Sequence, residues 1–336
     1  MDLLNALVAL TNFVIVPATA YGAQLALGAL GVTLTVAVLR FTNVAHGDTM
    51  AFGTMVTILA TWGLQSLGIS AGPLPTALIA LPVGIAVTAW LLLATDRMVY
   101  RFYRRNRASS AILLIVSIGV MFVMNGIVRL VIGVDEQRFD DGARFLVSAR
   151  DFKEMTGLDE GLAIRSSQAI TLVTALTVMV ALFWFLNRTR SGKSMRAFAD
   201  NRDLALLSGI DPDRVVRITW VLVAALATIA GTLYGLDKSF KPFTYFQLLL
   251  PIFAAAIVGG LGSPVGAIVG GFIIAFSEVG LTYAWKKVLG YTLPAGLAPD
   301  GLVQLLGTEY KNAVSFLILV LVLLIKPTGL FRGTST

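Results

Sequence analysis

The side chains that most often do chemistry in proteins are scarce in this sequence. Its 336 residues include one histidine, His46, and no cysteine. Without cysteine the chain has no thiolate nucleophile and no disulfide, and one histidine cannot build a histidine-based zinc site. A serine hydrolase would have to use His46 as its base. The sequence therefore predicts no catalytic residues, no metal site and no cofactor bound by this chain.

One short stretch imitates a nucleotide-binding loop. The letters SGKS at 191–194 match the end of the phosphate-binding pattern, which needs a glycine five residues before its second glycine and a strand in front. Asn187 occupies that position, and a long apolar run precedes it. The sequence therefore predicts no ATP site, so ATP-driven work would come from another subunit.

These residues lie in a very apolar chain. Hydrophobic residues make up 57% of it and charged residues 13%, whereas soluble domains carry about 25% charged residues. The charges cluster between apolar runs, and roughly 20 apolar residues cross a bilayer as a helix. We therefore expect an all-α polytopic membrane protein with about eight or nine transmembrane helices, forming a single domain over 1–336.

Nine spans are predicted from these runs. The apolar stretch 2–16 precedes Pro17 and is favoured as an interfacial or re-entrant helix over a full span. It also lacks the charged start and small-residue cleavage site of a signal peptide. The spans are 18–39, 50–66, 74–95, 110–132, 168–186, 217–236, 247–259, 264–284 and 311–325.

Loop charge predicts the orientation of the spans, because basic loops stay in the cytoplasm. Loop 96–107 carries five arginines and one acid, and loop 187–216 carries six basic residues. Both are predicted to be cytoplasmic, as is the basic C-terminal segment KPTGLFRGTST. Loop 133–167, with eight acidic and five basic residues, is predicted outside. The net charge of +7 thus reflects membrane topology and not nucleic-acid binding.

This orientation requires two crossings between 247 and 284. The glycines and proline of GGLGSP, at 259–264, supply the helix break.

The loop 187–216 has helix signals of its own. We expect a helix over about 195–208 capped by Ser194, a left-handed end at Gly209, and a new helix with Asp211 as N-cap and Pro212 in its first turn. Apolar residues alternate with its charges, which favours docking on a partner over a solvated loop that touches anionic lipid. These apolar residues are Met195, Phe198, Leu204, Leu206 and Leu207.

Four stretches of the sequence together carry a resemblance to a known family. The stretches are LRFTNVAHGD (39–48), MRAFADNRDLALLSGIDPDRV (195–215), AAAIVGGLGSPVGAIVGG (254–271) and YKNAVSFLILVLVLLIKPTGLF (310–331). They resemble the permease subunits of ATP-binding cassette (ABC) importers for branched-chain amino acids, specifically the first of their paired membrane subunits. The likeness covers nearly the whole chain from about residue 18.

Importer permeases of this kind carry a cytoplasmic Glu-Ala-Ala motif, three residues and then glycine, on a coupling helix that docks into the ATPase. Here Asp203, Leu204 and Ala205, followed by Gly209, match the spacing with two replacements, and ITWV at 218–221 stands where Leu-Pro often closes the motif. The resemblance implies that 196–209 is the coupling element. Its charged residues, which could pair across a polar interface, are Arg196, Asp200, Arg202 and Asp203.

The resemblance also implies partners and a location. The partners are a second homologous permease, two ATPases that hold ATP and Mg²⁺, and a periplasmic binding protein that delivers the solute, all at a bacterial inner membrane whose lipid surrounds the spans. Branched-chain amino acids are the implied substrate, while related permeases carry urea, short amides or aromatic acids. A stand-alone secondary transporter would need ion-coupling sites and internal repeats, and the sequence favours the importer.

Two features inside the spans have open roles. Gly262, Gly266 and Gly270, four residues apart, indicate either close helix packing or a gate near the pathway. Glu278 lies within an apolar helix, so it either pairs with Lys286 or Lys287 or contributes to the pathway.

Two further interpretations concern the ends of the spans. His46 is favoured as a hydrogen-bonded interfacial residue over a proton relay, with Asp48 capping the next helix. The outer segment 285–310 either contacts a binding protein or forms an ordinary loop with an amphipathic helix.

Overall fold

A computed structural model describes residues 1–72, 74–139, 145–293, 301 and 303–331. These residues fold almost entirely into helices. A two-stranded antiparallel sheet, formed by β1 (Phe145–Val147) and β2 (Ile164–Arg165), lies in the segment 133–167. Parts of the predicted loops 133–167 and 285–310, and the C-terminal segment from Arg332, lie outside the described residues. The helices are α1 (Asp2–Leu39), α2 (His46–Ser66), α3 (Ala77–Arg105), α4 (Ser110–Ile132), α5 (Ala149–Thr156), α6 (Ser166–Arg188), α7 (Arg190–Asp200), α8 (Arg202–Leu207), α9 (Pro212–Lys238), α10 (Pro242–Gly259), α11 (Pro264–Thr282), α12 (Lys286–Thr292) and α13 (Lys311–Ile325).

Eight of these helices are long and apolar enough to cross a membrane, α13 being counted together with the short 3₁₀ turn Thr308–Tyr310 that precedes it. The helix α2 is also long enough, with 21 residues, but its most apolar stretch is less hydrophobic than that of the other eight. Within the described residues the chain passes nine times between the two ends of the bundle. The protein is therefore an all-α, multi-pass membrane protein, as the sequence predicts.

The first helix is longer than the sequence predicts. Residues 2–16 do not form a separate interfacial helix, because α1 runs without a break over 38 residues. At 1.5 Å per residue it is roughly 57 Å long, which exceeds a hydrocarbon core of about 30 Å. A π-helical turn over Thr11–Ile15 precedes Pro17. This wider turn accommodates a residue that cannot donate a backbone hydrogen bond.

The polar helix α2 lies at the centre of the bundle. It packs against α3, α4, α9 and α10. Three of its buried threonines, Thr54, Thr57 and Thr61, donate their hydroxyls to carbonyls four residues earlier at 2.7–2.8 Å. Because these hydrogen bonds satisfy the hydroxyls within the helix, α2 can carry polar side chains where no water is available.

The loops divide between the two ends as the charge pattern predicts. The end that carries α7 and α8, here called the coupling end, also carries the basic residues of 96–107. These residues extend α3 to Arg105 through a π-helical turn at Asp96–Tyr100, so the prediction of a loop there was wrong. Segments 159–163 and α12 lie together at the opposite end.

The break in 247–284 is confirmed. The helix α10 ends at Gly259 and α11 begins at Pro264. The C-terminal segment returns to this turn at the coupling end, where Leu330 N donates to Val258 O at 2.9 Å and Phe331 N donates to Gly259 O at 3.0 Å.

Candidate functional site

The polar segment between α6 and α9 forms two short helices and not the single helix expected over 195–208. Asn201 ends α7 and caps α8, since its Oδ1 accepts a hydrogen bond from Leu204 N at 3.0 Å. Thr189 caps α7 by accepting from Gly192 N at 3.0 Å. The predicted cap, Ser194, lies inside α7 and donates to Arg190 O at 3.0 Å. Because Asn201 supplies a strong N-cap in extended backbone, the chain bends there.

The first of these helices, α7, is packed onto the bundle. Met195 is 1% exposed and Phe198 is 3% exposed, so both are buried by this chain and need no partner. The guanidinium of Arg40, at the end of α1, donates to the carbonyl of Ala199. The expectation that all five apolar residues of the segment await a partner is therefore wrong for these two.

The second helix, α8, presents its apolar residues outward. Leu204 is 61% exposed, Leu206 is 42% exposed and Leu207 is 85% exposed. Ala205, on the opposite face, is buried. Leu204 and Leu207 thus form a small apolar surface at the coupling end of the bundle, here called the leucine surface, whereas Leu206 lines a neighbouring cavity of about 750 Å³.

The junction from α8 to α9 has the geometry that the sequence predicts. Gly209 has φ +80°, a left-handed conformation that costs other residues about 1–2 kcal/mol. Asp211 Oδ1 accepts from Asp213 N at 2.9 Å, and Pro212 is the first residue of α9. Ile210 N donates to Ala205 O at 3.1 Å. These bonds join α8 firmly to a long membrane helix.

The charged residues predicted for the coupling element occupy two faces of the segment. Arg196 and Asp200 line a depression of about 510 Å³ that also includes Gly262. Arg202 and Asp203 line a cavity of about 750 Å³ on the other side. All four are exposed, which leaves their side chains available for pairing with another chain. That pairing stays a prediction.

The three glycines do not share one helix face. Gly262 lies in the turn before α11 with φ +87°. Gly266 and Gly270 lie on α11, where an added Cβ would meet the backbone carbonyls of Gly259 and Ala255 on α10. Gly266 and Gly270 therefore allow the backbones of α10 and α11 to approach closely. A gating role stays a prediction.

Glu278 is fully buried on α11 and has partners other than those predicted. Ser315 Oγ donates to its Oε1, and Lys311 Nζ lies 3.5 Å from its Oε2, both from α13. The same ammonium lies 3.8 Å from the ring centroid of Tyr21 on α1. The predicted partner Lys287 instead binds Glu160. The cluster thus connects α1, α11 and α13.

The predictions for His46 and Asp48 were wrong in detail. His46 is fully buried against Gly31, so it lies inside the bundle and not at an interface as predicted. Asp48 does not cap α2 but accepts from Asn125 Nδ2 at 2.7 Å. Both residues therefore fix helix positions inside the bundle.

A polar cluster at the opposite end was not predicted. Glu160 accepts from Lys287 Nζ and from Tyr291 OH, each at 2.8 Å, and its neighbour Asp159 accepts from Asn5 Nδ2 at 3.2 Å. Burial would raise the pKa of Glu160, but the hydrogen bonds from Lys287 and Tyr291 outweigh burial and lower that pKa. Its carboxylate in turn raises the pKa of Tyr291 to about 12. The cluster ties the loop before α6 to α1 and α12.

This architecture defines a class of protein. It is a multi-pass membrane protein whose helix bundle is joined at one end to a short, capped helix that exposes leucines. Residues 14–323 match the family described as "Branched-chain amino acid transport system / permease component".

The chain is similar to curated permeases along most of its length. It is 32% identical over 316 residues to the high-affinity branched-chain amino acid transport system permease protein LivH of Escherichia coli, covering 92% of this chain and 91% of the relative. It is 29% identical to BraD of Pseudomonas aeruginosa, a permease protein of the same description, covering 92% of each chain. A probable branched-chain amino acid transport permease of Methanocaldococcus jannaschii is 29% identical, covering 92% of this chain and 89% of the relative.

The chain therefore belongs to the family of permease components of branched-chain amino acid transport systems. As a permease component it works with other subunits of an ABC transport system. The family predicted from four stretches of sequence is thus confirmed.

Proposed function

We propose that this chain, acting as one permease domain over 1–336, forms the translocation pathway of an ATP-driven importer for branched-chain amino acids. Its partners are a second homologous permease, two ATPases and a periplasmic binding protein that hands over the solute. ATP and Mg²⁺ bind to the ATPases, and this chain holds no cofactor. The leucine surface of α8 carries the proposal, because Leu204 and Leu207 are exposed on a helix fixed to the bundle and need an apolar partner.

The transmission of ATPase movement follows from the way α8 is held. The Asn201 cap fixes its start, and the Gly209 junction fixes its end to α9. A groove that closes around Leu204 and Leu207 would therefore move α9 as well as α8. Arg196 and Asp200 on α7, and Arg202 and Asp203 on α8, are exposed, which supports the proposal that they pair with charges of the ATPase.

The substrate proposal rests on the relatives, whose names specify branched-chain amino acids. Urea, short amides or aromatic acids are the alternative within the same importer class. We propose a pathway role for Glu278 and a gating role for the turn at Gly262, which adjoins α7.

Co-purification from the native host tests the proposal. The chain is tagged, extracted in mild detergent with its companions, and the companions are identified by mass spectrometry. We expect a second permease and one or two ATPases, and ATP-dependent uptake of leucine in proteoliposomes that contain the binding protein. Recovery of the chain alone, with solute uptake that needs no ATP, would instead establish a secondary transporter.

A double variant tests whether 196–209 is the coupling element within that complex. Gly209→Pro removes the N–H that donates to Leu206 O and is incompatible with φ +80°, and Ala205→Glu places a charge at a buried position. We expect intact membrane insertion with loss of ATPase recovery. Unchanged ATPase recovery would overturn the assignment.

A further inference from the structure

An arginine-lined cavity lies at the coupling end, behind α8. Its volume is about 750 Å³. Its walls come from the end of α1, the end of α3, the start of α4, α8 and the start of α9. Six arginines and two aspartates line it, so the lining is strongly positive. The arginines are Arg40, Arg101, Arg104, Arg105, Arg107 and Arg202, and the aspartates are Asp203 and Asp213.

Ion pairs within the chain neutralise only two of these arginines. Arg104 forms a two-point pair with Asp96, and Arg101 Nη2 lies 2.6 Å from Asp213 Oδ2. In the part of the chain that the structure describes, the remaining four have no carboxylate within 4.0 Å. The Nε of Arg101 is also buried without a hydrogen-bond acceptor among these residues. Arg40 and Arg202 make other contacts within the chain, since Arg40 donates to the carbonyl of Ala199 and Arg202 lies over the ring of Phe198. The cavity therefore holds positive charge that no ion pair among the described residues neutralises.

Two residues with left-handed backbone lie in the wall of this cavity. Arg40 has φ 61° and Arg107 has φ 51°, and within the described residues only four residues other than glycine have a positive φ. This conformation costs about 1–3 kcal/mol per residue and persists where the surroundings enforce it. Both residues place an arginine in the cavity wall.

Two helix N-termini reach the same cavity. Ser110 begins the 23-residue helix α4, and Pro212 begins the 27-residue helix α9. The first N–H groups of a helix, together with its dipole, attract anions. The N-terminus of α9 is satisfied by its own residues, because Pro212 has no N–H and Asp213 N already donates to Asp211 Oδ1. The cavity thus combines arginines that no carboxylate neutralises with the N-terminus of α4, which is an arrangement suited to phosphate.

The rest of the lining is apolar. Val38, Leu39, Leu113 and Val216 belong to membrane helices at the point where each reaches the coupling end. Nearby, Met98 and Phe102 on α3 are exposed. The four wall residues are themselves buried, but Met98 and Phe102 are close in sequence to the arginines of the wall on α3. The acyl chains of a lipid whose headgroup enters the cavity would cover these two exposed side chains, whereas a free phosphate would not.

We propose that this cavity binds a phosphate-bearing anion, and that its source is the headgroup of an anionic membrane phospholipid. The arginines and the N-terminus of α4 hold the phosphate, and the exposed Met98 and Phe102 contact the start of the acyl chains. Binding would brace α8 against α3 and α9. The proposal goes beyond the transport function and does not depend on the substrate.

Nanodiscs of defined composition test the proposal with the full chain. The purified protein is placed in discs of phosphatidylcholine alone, in discs that also contain phosphatidylglycerol, and in the first discs with added inorganic phosphate. Thermal unfolding and the number of phosphatidylglycerol molecules retained in native mass spectrometry are the readouts. The test variant is Arg105→Gln with Arg107→Gln, both exposed and outside the internal ion pairs. The control is Arg188→Gln with Arg190→Gln, which removes the same charge from exposed positions that do not line this cavity.

We expect phosphatidylglycerol to raise the unfolding temperature of the wild type and of the control by several degrees. The test variant should lose at least half of this rise and retain fewer phosphatidylglycerol molecules. A rise with inorganic phosphate but none with phosphatidylglycerol would keep the anion site and overturn the lipid source. Equal responses of the two double variants would overturn the site. A test variant that responds normally to both probes but loses its ATPase would also overturn it, and would assign the arginines to a protein contact.

Discussion

Asn201 Oδ1 accepts a hydrogen bond from Leu204 N at 3.0 Å, and this bond starts the helix that presents the leucine surface. Asn201 itself has extended backbone, so α7 ends where α8 begins. One asparagine thus separates a helix packed on the bundle from a helix offered to a partner. The orientation of Leu204 and Leu207 depends on this cap because α8 has only six residues.

Asn201→Ala should weaken the recovery of ATPase with the permease. Loss of an N-cap costs about 1 kcal/mol, which corresponds to about a fivefold loss of binding if α8 must be ordered to dock. Quantitative mass spectrometry of the purified complex measures the ratio of ATPase to permease. Ser194→Ala is the control, since Ser194 bonds within α7 and caps no helix. An equal ratio of ATPase to permease in both variants would show that the Asn201 cap does not contribute to ATPase binding.

Gly270→Ala should destabilise the bundle, whereas Gly280→Ala on the same helix should not. A Cβ at Gly270 would meet the carbonyl of Ala255, and one at Gly280 would meet nothing within 4 Å. Overpacking of this kind costs about 1–3 kcal/mol. Thermal unfolding in detergent compares the two variants. Equal stability would show that α10 and α11 are not in close backbone contact.

Local signals in the sequence were sufficient for the junction between α8 and α9. Asp211, Pro212 and Gly209 each act on neighbouring backbone groups, so their roles could be predicted from the order of residues alone. The charge of the loops likewise placed 96–107 and 187–216 at one end of the bundle, because it depends on loop composition and not on packing.

Contacts between distant segments were not predictable in this way. Glu278 pairs with Lys311, 33 positions away, because α13 packs beside α11, and no local signal marks that neighbour. The sequence likewise predicts a partner for Met195 and Phe198, whereas the packing of α7 on the bundle buries both. The unbroken α1 depends on a π-helical turn, which periodicity does not reveal.

Glu160→Gln should lower stability by about 1 kcal/mol near neutral pH, since it weakens charge-assisted hydrogen bonds from Lys287 and Tyr291. The pKa of Glu160 is lower in the folded protein than its ordinary value of 4.5. The stabilisation is therefore fully present above about pH 4.5 and is lost as the pH falls below it.

Thermal unfolding of wild type and variant between pH 4 and 7 measures this difference. The difference in unfolding temperature between wild type and variant should stay constant from pH 7 to 5.5 and become smaller towards pH 4. Glu309→Gln controls for a general charge effect, because Glu309 is exposed at the same end and forms no ion pair among the described residues. A gap that widens on acidification would contradict the proposed hydrogen bonds.

Glu278→Gln should lower ATP-driven uptake without lowering the yield of the complex. Glutamine can still accept from Ser315 Oγ, so the helices stay packed, but the Lys311 ammonium loses its charged partner in a buried cluster. Uptake into proteoliposomes, normalised to the amount of complex, is the measurement. Ser315→Ala keeps the charge and serves as the comparison. Normal uptake by Glu278→Gln would show that this residue is not part of the pathway.

The central claim is that the leucine surface joins the permease to its ATPase, and Leu204→Asp with Leu207→Asp tests it most directly. Each leucine contributes about 1.5–3 kcal/mol when buried, so we predict at least about a tenfold loss of co-purified ATPase with unchanged membrane insertion. Met98→Gln with Phe102→Gln alters exposed apolar residues at the same end and should keep the ATPase. Equal ATPase recovery with the aspartate variant and the wild type would contradict the account.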